Sequence, residues 1–140
     1  MVRLVRTGAR GPVDAHVGDT AAHHAGDPVD ERGDGPELLA LATGDGSVVR
    51  ALKLDAFGAH HSYSSLAIGQ DGAVYIGFSA KQGGDTYPAV AAVNPDGTLR
   101  WKLVDTQPYL KNCGIEAPVA VAPDGTVYVV ENCGGLLAIG

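Results

Sequence analysis

Four Asp-Gly dipeptides, Asp45-Gly46, Asp71-Gly72, Asp96-Gly97 and Asp124-Gly125, cut the chain from Glu37 onward into short apolar runs. Each stands between two strand-like segments. Glycine accepts positive φ without a Cβ clash and aspartate tolerates the left-handed region, so the pair suits the tight turn of a β-hairpin. Four hairpins are therefore expected. Glycine (20) and proline (8) together make up one residue in five, a turn-rich composition that favours strands over helices.

The hairpins are of two kinds. SLAIGQDGAVYIG (65–77) matches PVAVAPDGTVYVV (118–130) at an offset of 53 residues, with Leu66, Ile68, Val74, Tyr75 and Ile76 falling on Val119, Val121, Val127, Tyr128 and Val129. LLALATGDGSVVRALKL (38–54) and VAAVNPDGTLRWKLV (90–104) match each other at an offset of about 51. Since the kinds alternate, the repeating unit is four antiparallel strands, A to D, of about fifty residues. A period of this length built from four strands is the mark of a propeller blade.

Phased in this way, residues 38–43 and 47–54 are strands C and D of a first blade. Residues 64–69, 73–79, 88–94 and 98–104 form a complete second blade (64–104), and 117–122, 126–131 and 135–140 are strands A to C of a third (117–140). The expected fold is all-β: a partial β-propeller of about two four-stranded antiparallel blades over 37–140. Within the strands, Leu66/Ile68, Val74/Ile76/Phe78 and Val127/Val129 alternate with Tyr75, Gly77, Ser79 and Tyr128. Both faces are apolar, as in a sheet sandwiched between neighbours.

Residues 1–36 carry Gly8, Gly11, Pro12, Gly18, Gly26, Pro28, Gly33, Gly35 and Pro36 among Asp and His. Burying the scattered Val and Leu there would hardly offset the entropy of ordering so many glycines, so a disordered Gly/Asp/His-rich leader or linker is expected. Charge excludes some partners. Residues 1–36 hold four Arg against six acids, and 37–140 hold six Lys/Arg against ten acids, for a net charge of −6. Neither half has the basic patch that neutralises phosphates, which argues against nucleic acid and against acidic membrane surfaces. No apolar run approaches the roughly 18 residues of a membrane span, and MVRLVRTGAR (1–10) lacks the apolar core of a signal peptide.

The motif Asp-Gly-Thr-Val-Tyr (124–128), a following strand such as LLAI or AVAAV, and Asp96-Gly97-Thr98 with Trp101 resembles the pyrroloquinoline-quinone-type β-propeller repeat of the quinoprotein alcohol dehydrogenase-like family. The resemblance covers about 37–140. It implies that Trp101 packs between adjacent blades, while Arg50 stands at the corresponding place of the first blade and departs from the pattern. Members with this repeat include quinone- and calcium-dependent dehydrogenases, outer-membrane assembly scaffolds and sensor domains of kinases, so shared fold implies no single chemistry. The disulfide between neighbouring cysteines that the quinone enzymes carry has no counterpart in this chain.

Candidate site residues are few. Cys113 precedes strand A of the third blade and Cys133 follows its strand B; pairing about Asp124-Gly125 brings them near register but not into it. Either they form a disulfide, which would imply an oxidising compartment, or they are two buried thiols. The B–C connection SAKQGGDTYPAV (79–90) is longer and more polar than its counterpart (131–139), which makes Lys81, Gln82, Asp85 and Tyr87 the candidate recognition loop. His60, His61 and Tyr63 lie in the loop before the second blade, and His16, His23 and His24 in the leader. None of the Asp-Gly turns shows the oxygen ladder of a calcium loop, and no nucleophile elbow, zinc or phosphate motif appears.

The expected function is a non-catalytic scaffold that binds a protein or ligand, without cofactor, as part of a longer extracytoplasmic protein that supplies the remaining blades. The alternatives are part of a quinone-dependent dehydrogenase and the sensor domain of a signalling protein.

Overall fold

The computed structural model of the protein describes residues 13–18, 37–61 and 64–140. Every regular element among them is a β-strand or a single turn of 3₁₀ helix. The strands, all paired antiparallel, form three sheets, and the fold is an all-β partial β-propeller. Among the described residues no helix is long and apolar enough to cross a membrane. The chain divides into two compact units, residues 1–56 and 57–140.

The first unit is a sheet of three strands in the order β1 (Val13–Gly18), β2 (Glu37–Ala42) and β3 (Val48–Lys53). The expected C–D hairpin is β2–β3. Strand β1 lies inside the segment expected to be disordered and runs along β2 from Val13 opposite Ala42 to Gly18 opposite Glu37. Its sequence VDAHVG alternates apolar and polar residues, a strand pattern hidden by the flanking glycines. The rest of 1–36, with His23 and His24, lies outside the described residues.

The second unit holds two sheets. In the first, β5 (Ala67–Ile68), β6 (Val74–Gln82), β7 (Asp85–Val93) and β8 (Leu99–Val104) follow one another as the meander expected of a blade. A further strand, β4 (Ala59–His61), shares the β5 edge of β6, with Ala59 opposite Ala80 and Ala67 opposite Tyr75. The expected strand 64–69 is thus only its last part, and an additional strand precedes it. Residues 64–66 stand off the ladder, and the Gly77 N–H donates instead to Ser64 Oγ at 2.7 Å. A buried side chain thereby replaces a missing backbone acceptor. The other sheet has the order β9 (Ala120–Val121), β10 (Val127–Glu131) and β11 (Gly135–Ile139).

These two sheets pack face to face. Ala73, Tyr75, Val90 and Ala92 of one meet Val119, Val127 and Val129 of the other, joined by Ile115 from the connection between them. The approach is close at Gly77, where a Cβ would lie 2.8 Å from Ile115 Cβ. Strands β6 and β7 are buried over nearly their whole length on both faces, as the doubly apolar pattern implies. Burying side chains of this size contributes about 1.5–3 kcal/mol each, which makes this seam the main source of cohesion in the unit.

Candidate functional site

The Asp-Gly turns share one local design. In three of them the loop has three residues: the N–H of the glycine returns to a carbonyl three residues back (Gly72 to Gly69, Gly97 to Asn94, Gly125 to Ala122, 2.8–2.9 Å). Gly72, Gly97 and Gly125 take φ of 80–90°. This is a type I turn closed by a glycine bulge, not the two-residue turn that Asp-Gly most simply suggests. Each aspartate accepts the N–H two residues on: Ala73 at 3.1 Å from Asp71, Thr98 at 2.9 Å from Asp96, and Thr126 at 2.9 Å from Asp124. The Asp45 turn repeats that contact with Ser47 at 3.0 Å but has one residue more. One oxygen of each carboxylate, Oδ1, is thereby spent on turn geometry.

Repetition of this design brings two turns side by side. The β5–β6 turn and the β9–β10 turn border a cleft of about 340 Å³, lined by Gln70, Asp71, Tyr75, Pro123 and Asp124 together with Ile68 and Val121. The two aspartates differ. Asp71 Oδ2 accepts from Arg100 of β8 at 2.6 Å, and that guanidinium holds its carboxyl below the ordinary range. Arg100 is itself steadied by Asn94 Oδ1 at 2.7 Å. Asp124 is lowered by hydrogen bonds from Thr126 and has no basic partner among the described residues. The cleft offers carboxylate and amide acceptors beside a tyrosine ring, the equipment of recognition.

Trp101 is half-buried on the seam between the two sheets, its ring 5.9 Å from that of Tyr75 and inclined at 48°. It stands opposite Ala92, and Tyr75 stands opposite the same alanine from the other side, so the two rings meet across a small residue. Arg50 of β3 is opposite Ala40 in the same manner, with a bulge at the same place in both ladders. It occupies the register position of the tryptophan and is exposed.

The expected recognition loop does not exist as a loop. Strands β6 and β7 extend through it as a hairpin arm, closed by Gly83-Gly84 with Gln82 opposite Asp85. Gly83, at φ 65°, takes the first central position of the turn, where a type II′ turn requires glycine. Lys81 and Gln82 are exposed on this arm, but Tyr87 is buried against Leu110 and Cys113 and offers nothing to solvent. Asp85 is bound to Lys111 at 2.8 Å, a pairing that raises the lysine pKa. The segment after β8 closes over the arm through hydrogen bonds from Asp105 N–H to Pro88 C=O (3.0 Å) and from Asn112 N–H to Thr86 C=O (2.8 Å). Polar composition marked the arm as loop, whereas backbone pairing carries β6 and β7 through it.

Cys113 and Cys133 are joined in a disulfide, with a Cα–Cα distance of 6.0 Å. The near-register arrangement has a structural cause. Tyr128 lies opposite Ala120, yet Asn132 N–H donates to Gly114 C=O at 3.0 Å, so the strand-A side carries two extra residues in between. That slack brings the cysteines opposite each other.

His60 is exposed in β4, His61 lies in the same strand, and Tyr63 falls outside the described residues. Among the described residues no three His, Cys, Asp or Glu side chains converge where a metal ion would sit. Glu131 was missed by sequence reasoning. It is only 2 % exposed, and its Oε1 has no hydrogen-bond partner among the described residues. Burial, and secondarily the charge of Asp105, push its carboxyl above the ordinary value. The signal was available: at the 53-residue offset Glu131 falls on Phe78, a charge in an apolar column.

No model of a known protein family matches the chain, and no curated protein matches it either.

Proposed function

We propose that this chain is a non-catalytic β-propeller segment of the pyrroloquinoline-quinone-type repeat, serving as a scaffold that binds a protein or ligand outside the cytoplasm. The observation that carries the reading is the cleft between the β5–β6 and β9–β10 turns, rimmed by Gln70, Asp71, Tyr75 and Asp124. It holds acceptors and an aromatic ring on a rigid frame, a combination suited to orienting a partner. The Asp-Gly-Thr repeat and the seam position of Trp101 support the repeat assignment. The Cys113–Cys133 disulfide supports an oxidising compartment.

A dye-linked dehydrogenase assay tests the reading. Purified chain supplied with pyrroloquinoline quinone, calcium and a panel of alcohols and sugars should show no turnover above a heat-denatured control. Turnover that requires both quinone and calcium would overturn the scaffold reading and favour a dehydrogenase segment.

A further inference from the structure

Val127, Val129 and Glu131 alternate with exposed residues along β10 and so share one face. There Val127 and Val129 pack against Ala73, Tyr75, Val90 and Ala92 of the first sheet. Glu131 continues this apolar column with a carboxyl, 2 % exposed, at the place where the other repeat has the fully buried Phe78. Its cover comes from within the second unit. The carboxyl lies on Gly135, directly opposite on β11, where a Cβ would come within 3.1 Å of Glu131 Cδ. Its Oε1 is without a hydrogen-bond partner among the described residues.

Such a place suits a carboxylic acid better than a carboxylate, because an unpaired buried charge loses its hydration without a replacement. The surroundings do not offset the charge. Asp105, just after β8, is the charged side chain whose field acts on Glu131, and it has the same sign. Gly135 and Leu137 of β11 carry no titratable group, and Cys113 and Cys133 are spent in the disulfide. The seam face of the first sheet presents Tyr75 as its titratable side chain. No basic side chain is among these.

Glu131 also stands next to a fastening. Asn132 N–H donates to Gly114 C=O at 3.0 Å, Gly134 N–H donates to Glu131 C=O at 3.0 Å, and Cys133 between them is tied to Cys113. The β10–β11 turn is thus held to the connection between the sheets by a hydrogen bond and a covalent tether.

We infer that Glu131 is a proton-operated latch at this end of the seam. Protonated, it stays folded in against β11 and the first sheet. On losing its proton to solvent the carboxylate turns out to water, and the β10–β11 turn lifts from Gly114 with it. Val127 and Val129 keep the sheets together and the Cys113–Cys133 bond limits the excursion, so the opening is local and reversible. This device belongs to the fold and does not depend on what the cleft binds.

The direction with pH follows from burial, which raises the carboxyl above its ordinary 4.5, the charge of Asp105 adding to the effect. Below 4.5 the closed and open forms both hold the proton, and the latch is shut. From 4.5 up to the closed form's value only the open form releases it, and opening grows about tenfold per pH unit. Above that value it levels off.

Hydrogen exchange of the intact, oxidised chain, followed by NMR from pH 4 to 8 and normalised to each amide's intrinsic rate, reads the latch at Asn132 and Gly134. Their protection should fall about tenfold per pH unit across the window and then become constant. At every pH both should exchange about tenfold or more faster than Val90 and Ala92 of β7, which report the opening of the whole unit. Glu131→Gln should hold their protection constant. Asp105→Asn, whose Oδ1 can still accept from Gln107 N–H, should end the fall at a lower pH. Protection independent of pH in wild type, an undiminished fall in Glu131→Gln, or exchange no faster than that of Val90 and Ala92 would each overturn the inference. Circular dichroism checks that the variants fold. If Glu131→Gln does not, Asp105→Asn decides alone, and a fall that ends at the wild-type pH overturns it.

Discussion

Replacing both Cys113 and Cys133 with alanine removes a cross-link spanning a sequence separation of 20. Closing a loop of that length lowers the entropy of the unfolded chain by an amount worth about 3 kcal/mol at 25 °C in the chain-entropy treatment. Little native packing should be lost in exchange. The cysteines sit at the ends of a strand pair already clasped by the Asn132–Gly114 hydrogen bond, and alanine at 113 keeps an apolar group beside Tyr87 and Leu110. For a unit the size of 57–140, 1 kcal/mol moves the melting temperature by about 4–8 °C, so a loss of roughly 12–24 °C is expected. Differential scanning calorimetry of the two proteins measures it, and wild type held in a phosphine reductant should fall toward the variant. A shift below about 3 °C, or two free thiols by mass spectrometry of the oxidised protein after alkylation, would refute the reasoning.

Three further outcomes follow from the seam between the two sheets and from the buried carboxyl beside it. Gly77→Ala drives a Cβ into Ile115 and should cost about 1–3 kcal/mol by overpacking, read from urea denaturation; a neutral result would mean that the sheets do not meet there. Trp101→Ala should cost about 2–3 kcal/mol, less than the 3–5 of a fully buried tryptophan, because the side chain is only half-buried. Glu131→Gln concerns pH. Burial raises the carboxyl above its ordinary 4.5, so the folded state holds a proton that the unfolded state has released, and stability falls as pH rises from that value through the folded one. The variant, unable to ionise, should gain on wild type as pH is raised from 4 to 8 in parallel thermal melts, and a constant difference would show that Glu131 does not titrate abnormally.

Much of the fold was legible because its signals are local. A glycine at φ of 80–90° closes each three-residue turn of this design, so Gly72, Gly97 and Gly125 announce their hairpins without reference to anything distant. Alternation of Val74, Ile76 and Phe78 with Tyr75 and Gly77 marks a strand with two apolar faces for the same reason. The 53-residue offset then phases the blades, and it also pointed to the equivalence of Tyr75 with Tyr128 and of Phe78 with Glu131.

The candidate site was less legible. Lys81, Gln82, Asp85 and Tyr87 were grouped by composition, but hairpin register separates them: two are exposed, one is held by Lys111, and Tyr87 is covered by the segment that carries Cys113. Asp71 and Asp124 stood out in sequence only as turn formers. Their common cleft arises because two sheets stack with their turns aligned, a relation that no window of a few residues contains.

What the sequence by itself determined, then, is the four-stranded repeat, its hairpin turns and the near-register cysteines, all properties of φ, period and spacing. Tertiary structure alone decided that β1 joins the first sheet, that β4 and β5 share one edge of β6, that two residues of slack bring Cys113 to Cys133, and that Glu131 loses its solvent. The physical reason is range. Turns and alternation are set by atoms a few bonds apart, whereas edge pairing and burial depend on what distant segments leave uncovered.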